Sequence, residues 1–232
     1  MSSPRFWYYA GGDEAMFRSR IQNDDRLEVL GLIFDEVVWI SDHLVMNNVR
    51  SNSRLWEPSL LQSGGDLYID VLWERLHKGV EELGINVQKE DLVWTLVRGH
   101  PYDKSPTEPR WHHEAAMSYR KSMRSAFRTN LSTSDTSLES ANAMYFEKKL
   151  VDNCDLRIVV TSNGRIGMIP DATRVGDVCC VFLDVRVPFI LAHSQNGRYK
   201  LVGGAYIHGV MAGELVEPSH DAGGGAEGII LD

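Results

Sequence analysis

No run in this chain approaches the roughly 20 consecutive apolar residues that a membrane-spanning helix needs. Its first residues, MSSPRFWYYAGGDEAMF, lack the basic stretch and apolar core of a secretory signal. Cysteine is scarce: Cys154, Cys179 and Cys180 are the only three among 232 residues. An odd count with two neighbours gives no disulfide framework and implies reduced thiols in a reducing compartment. The expectation is a cytoplasmic protein with no membrane partner. Positive charge is not in excess either: 24 Lys+Arg stand against 32 Asp+Glu, a net charge of −8. Such a chain has no overall field to attract phosphate backbones, so nucleic acid is not an expected partner. HExxH, CxxC and P-loop motifs are missing throughout. Gly223-Gly224-Gly225 is no dinucleotide fingerprint, because no strand precedes it and no helix follows. No cofactor or metal is expected.

What the chain does contain is ordinary for a globular protein, with 43% hydrophobic and 24% charged residues. Residues 27–41 (LEVLGLIFDEVVWIS) are rich in β-branched and aromatic side chains and read as one or two strands. Ile33, Val37 and Trp39 share a face if a bulge intervenes. Helical spacing follows at Ile69, Leu72, Leu76, Val80 and Leu83, with Asp66 as N-cap and Gly84 at the stop. A shorter helix is expected over residues 89–98. A proline-rich loop covers 101–110. The steps Ala116, Tyr119, Met123 and Phe127 mark an amphipathic helix over 111–128. After a polar linker, Thr136 and Glu139 form a capping box opening a helix that reaches residue 151.

From residue 155 to 214 the pattern is β throughout, with Asn163-Gly164 and Asn196-Gly197 between apolar runs. Asn-Gly supplies the two positive-φ residues of a type I′ hairpin turn, and such turns are expected at both sites. Val178 to Leu183 is apolar on both faces, which predicts a central strand covered on two sides. Pro188 starts the next strand and implies an edge position. Gly203-Gly204 allows a sharp bend. Five or six short strands with tight turns suggest a small, partly closed barrel, SH3-like in scale, rather than an open sheet. The last 20 residues hold five acidic and no basic side chains. They read as a solvated tail until Ile229, after which an edge strand is possible. The expected divisions are a strand-plus-helical region over 1–152, a β-barrel over 153–214 and an acidic tail over 215–232. The fold class is α+β, a helical middle region packed on a small antiparallel β-barrel at the C-terminal end.

The order of residues in the β block resembles one family, the region C-terminal to the HET domain in fungal heterokaryon-incompatibility proteins. The matching positions are Thr161, Gly164, Gly167 and Pro170, then Gly176-Asp177, then Pro188-Phe189-Ile190-Leu191. Val202-Gly203, Ala205-Tyr206 and His208-Gly209 to Met211 complete it. Upstream likeness is weaker, at Trp7 to Gly12, Leu27 to Asp35 and Trp94-Thr95-Leu96. The HET domain's own Tyr-Val-Trp-Gly type motif does not occur, and Trp7-Tyr8-Tyr9 does not replace it. The resemblance implies a non-catalytic accessory or regulatory region. Its setting would be non-self recognition and programmed cell death, with a protein partner or a HET effector domain as its contact.

Residue by residue, nothing competes strongly with that reading. His112-His113-Glu114 cannot chelate one ion, because neighbours on a helix point about 100° apart. His208, beside Tyr206 in a strand, reads as a structural histidine. Cys179 and Cys180 point to opposite faces of their strand, and no partner is visible that would activate either thiol. No residue is assigned a catalytic role. Arg120, Lys121, Arg124 and Arg128 make a basic helical stripe, either a solvated face or a docking surface for an acidic segment. Two rivals stay open: a hydrolase using a Cys or His between helices and barrel, and a small-barrel RNA-binding protein.

Overall fold

The computed structural model describes residues 10, 19–21, 26–42, 68–98, 114, 116–119, 121, 142–143, 146, 148–149, 156–183, 185–216 and 226–232. The chain divides into two compact units, Met1–Ile40 with Ile158–Asp232, and Ser41–Arg157. The β unit therefore extends past both ends of the expected 153–214 barrel, taking in strands from either end of the chain.

The N-terminal β-rich run forms a single strand. A short strand β1 (Ser19–Ile21) lies antiparallel to the start of β2 (Leu27–Ile40), which is 14 residues long. Val29 and Ile33 of β2 pack into one apolar cluster, while Phe34, Val37 and Ile40 pack into another. The change of side coincides with a register shift between Ile33 and Asp35, and a second follows between Val37 and Trp39. The expected bulge is present, but it sends Ile33 and Val37 to different cores instead of aligning them.

The β block supplies β3 (Arg157–Thr161), β4 (Ile166–Ile169), β5 (Val178–Phe182), β6 (Phe189–His193), β7 (Tyr199–Gly204) and β8 (Tyr206–Ile207). A last strand, β9, spans Glu227–Leu231. Neighbours run β5-β6-β7-β9-β2-β3-β4-β8, and β5 also pairs with β2. That extra pairing closes β2, β5, β6, β7 and β9 into a ring of five strands. Closure leaves a ring strand without a bare edge, which is how small β structures avoid edge-to-edge association. One cluster draws side chains from all five: Val29, Cys180, Leu191, Tyr199, Ile229 and others. It is the core that the ring encloses. The second cluster joins Val37, Cys179, Val181 and Ile190 of the ring to Val159, Ile169 and Ile207 of β3, β4 and β8. Every residue of β5 is buried, as its two-faced apolar sequence predicts.

Two strands sit differently from expectation. β6 is no edge; it pairs with both β5 and β7. Pro188 precedes its first ladder residue, so no ladder donor is lost. β9 is not an edge either. It runs antiparallel to β2 over five residue pairs and parallel to β7 at one, Tyr199↔Leu231. The ring is thus not wholly antiparallel, and the acidic segment ends in a strand that buries Ile229 and Leu231.

The Asn-Gly turns also divide. At the β6–β7 turn Asn196 (φ 59°) and Gly197 (φ 71°) are both left-handed, and the Arg198 N–H donates to the Gln195 carbonyl. That is the type I′ signature. Between β3 and β4 only Gly164 has positive φ, 78°. The Gly164 N–H donates to the Thr161 carbonyl, and the Thr161 N–H to that of Arg165. This is a three-residue loop with a glycine bulge rather than a two-residue turn.

In the other unit, α1 (Tyr68–Glu81) buries Leu72, Leu76 and Val80, and the chain turns at Gly84 (φ 68°). Helix α2 (Lys89–Leu96) buries Leu92, Val93, Thr95 and Leu96. The described residues at 114, 116–119 and 121 and at 142–149 are helical, and the Tyr119 and Phe146 rings lie 5.4 Å apart. The loop expected at 101–110 and the linker at 129–137 fall outside the described residues.

Candidate functional site

Strand alternation carries Asp35 into the protein along with its apolar neighbours, leaving its side chain 0% exposed. A buried carboxylate is tolerable only when its lone pairs are occupied. Here the β3–β4 turn occupies them. Oδ2 accepts from the Thr161 hydroxyl at 2.7 Å and from an Arg165 guanidinium N–H at 2.9 Å. Oδ1 accepts from the Ser162 hydroxyl at 2.5 Å, the Glu36 N–H at 3.0 Å and the Asn163 N–H at 3.2 Å. Arg165 also lies over the Phe34 ring, 5.8 Å from its centroid. Burial works to raise the Asp35 pKa. The hydrogen bonds from Ser162, Thr161, Glu36 and Asn163 outweigh it and hold the carboxyl below its ordinary value. At neutral pH Asp35 is thus an anion that pins the turn to β2.

The signature positions fall around this anchor. Thr161 is its ligand, and Gly164 shapes the pinned turn. Gly167 stands opposite Ile207 across β4 and β8, where a Cβ would meet the Tyr206 carbonyl oxygen at 2.5 Å and collide with Ile207. Pro170 covers Gly203, with its Cγ only 2.8 Å from where a Cβ would stand. The Gly176 N–H donates to the Val37 carbonyl, and the Asp177 carboxylate accepts from the Arg174 N–H at 2.8 Å. The Pro188 carbonyl accepts from the Ala205 N–H, tying β6 to the bend after β7. The Tyr206 hydroxyl lies 3.3 Å from His208 Nδ1, and the His208 N–H donates to the Ile166 carbonyl. Gly209 lies in the turn closed by the Val210 N–H on the Ile207 carbonyl. These contacts hold the strands and turns of the β block in place.

Other candidates stay apart. Cys179 enters the cluster shared with β3, β4 and β8, and Cys180 the ring core, one to each side as alternation requires. Burial pushes the Cys180 thiol up to about 12 and the Cys179 thiol higher still. Both are protonated at neutral pH. In the folded protein, iodoacetamide at pH 8 is expected to label Cys179 and Cys180 at least ~100-fold more slowly than in the guanidinium-unfolded chain. Peptide mass mapping measures that ratio, and equal labelling would show that these thiols are open. Among the described residues no group of three His, Cys, Asp or Glu side chains is placed to hold a metal ion. His112, His113 and Cys154 lie outside the described residues, as do Arg120, Arg124 and Arg128 of the basic stripe. Lys121 is helical and exposed.

Sequence reasoning missed a second polar cluster at the end of β9. Arg198 donates through Nε to the Gln195 carbonyl and through its terminal nitrogen reaches Asp232 Oδ1 at 2.7 Å. The Ser194 hydroxyl donates to Oδ2 at 2.6 Å, and Arg26 lies 3.9 Å from Oδ1. The Asp232 N–H donates to the Tyr199 carbonyl. The end of β9 is therefore clasped to the β6–β7 turn.

Compared with known families, the chain matches the Het-6 beta-barrel domain over residues 87–222, more than half its length. The matched stretch holds β3 to β8 and leaves β2 and β9 outside. No curated protein and no solved structure matches the chain.

Proposed function

Because the chain belongs to the Het-6 beta-barrel domain family of fungal heterokaryon-incompatibility proteins, we propose that it works as a non-catalytic accessory module in non-self recognition. Its role is to contact or regulate a protein partner, such as a HET effector domain, in the death response that follows fusion of unlike cells. One observation carries the reading: the family-signature residues are engaged in holding strands and turns together. Thr161 binds Asp35, Gly167 and Gly203 admit close neighbours, and Asp177 caps its own turn. A catalytic centre needs a nucleophile or base, a group that orients it and a stabiliser of developing charge, brought together in a cleft. The thiols of Cys179 and Cys180, next to the signature Gly176-Asp177, are buried and protonated.

The test is overexpression of residues 1–232 in a host fungus, with viability and NAD level followed over time. Growth and NAD are expected to match the empty-vector control. Rapid death or NAD loss that disappears on mutating Cys154 or His208 would make the chain an effector instead.

A further inference from the structure

The ring is closed by a strand that reaches it from a separate part of the chain. β5, β6 and β7 follow one another within the family-matched stretch, whereas β9 comes after residue 222, where the match ends. The connecting sequence 217–226, EPSHDAGGGA, carries three consecutive glycines and no large aliphatic or aromatic side chain. At up to ~3.5 Å per residue its ten residues can extend roughly 35 Å. β9 is zipped to β2 by five pairs but meets β7 at one. That single meeting point is reinforced by the clasp on Asp232, with Arg198 pre-aimed by the Gln195 carbonyl. The seat thus recognises an extended segment by three features: a backbone edge on β2, apolar sockets for Ile229 and Leu231, and a carboxylate seat at the end.

We propose that this seat is an exchange site between two copies of the chain, Glu227–Asp232 of each lying between β2 and β7 of the other. An identical segment makes identical contacts, so the ring core and the carboxylate clasp are the same in either arrangement. What differs is the entropy of the connection. A connection of ten residues sets a local concentration on the order of a millimolar, so self-closure dominates in dilute solution and exchange gains at high density or during refolding. The exchanged pair is isologous and closed, and it leaves no ring edge open. Exchange uses a different surface from the signature residues, whatever partner those serve.

Glu28 and Ile230 are register partners on the face opposite the buried Val29–Ile229 pair, so both can be replaced without touching the core. Full-length chains bearing Glu28→Cys or Ile230→Cys are unfolded together, refolded at a concentration on the order of a millimolar, and oxidised. The expected product is a disulfide-linked heterodimer whose tryptic map joins the two introduced positions. Ultracentrifugation of the wild-type chain refolded in the same way should show a species of twice the monomer mass. A chain carrying both substitutions should cross-link within itself when refolded dilute. Asp232→Ala, by loosening the clasp, should speed heterodimer formation when folded chains are mixed. Wild-type chain that stays monomeric under these conditions, or a dimer without that cross-link, would overturn the proposal.

Discussion

Replacing Asp35 with alanine is expected to lower the free energy of unfolding by about 3–5 kcal/mol, the range for breaking a buried charged network by removing one partner. The loss is large because the substitution also strands the Thr161 and Ser162 hydroxyls and the Glu36 and Asn163 amides, which all converge on that carboxylate. Guanidinium titration followed by circular dichroism measures it. A change below about 1 kcal/mol, an ordinary value for a single hydrogen bond, would mean that the turn holds without its anchor. Acid should reproduce part of the effect. The folded carboxyl titrates below its unfolded counterpart, whose pKa is about 3.9. Its stabilisation is therefore complete above that value and is lost as pH falls through the lower, folded pKa. Asp35→Asn should remove this share of the acid sensitivity while lowering stability at pH 7.

The second large effect is expected at Gly167. Valine there would drive its side chain into the Tyr206 carbonyl and Ile207, a fixed backbone atom and a fully buried side chain with little room to retreat. Overpacking of this kind costs about 3 kcal/mol or more. Gly204→Ala is the milder comparison, because a Cβ there would stand in ordinary contact with Val187, 3.5 Å away. Thermal melts of the two variants should rank them in that order. Equal melting temperatures would show that β4 and β8 can separate to admit a side chain.

Local chemistry was readable wherever it decides local structure. α1 and α2 follow their apolar spacing, and the Asn196-Gly197 turn has the left-handed pair that its sequence calls for. At Asn163-Gly164 the same dipeptide yields another turn, because Asp35, more than a hundred residues away, holds the Ser162 hydroxyl and the Asn163 amide. No window around residue 163 contains that information. One sign of it was available: two adjacent charges inside an apolar run, LIFDEVV, put one of them on the inner face of a strand, where it demands a partner. The ring was hidden for a similar reason. Its first and last members are too far apart in sequence for periodicity to relate them, and the acidic, glycine-rich approach to β9 made a ring strand read as an edge strand at the end of a tail. The signature residues were found by resemblance, but their work became clear only from contacts such as Pro170 on Gly203.

The pairing of Leu27 with Leu231 also governs when the protein can fold. β2 leaves the ribosome long before β9, the strand that completes its ring. At ordinary elongation rates of about 5–20 residues per second, β2 waits roughly ten to forty seconds for that partner. Contacts so distant in sequence form slowly even in a finished chain. During that interval the apolar edge of β2 is open to any other nascent strand.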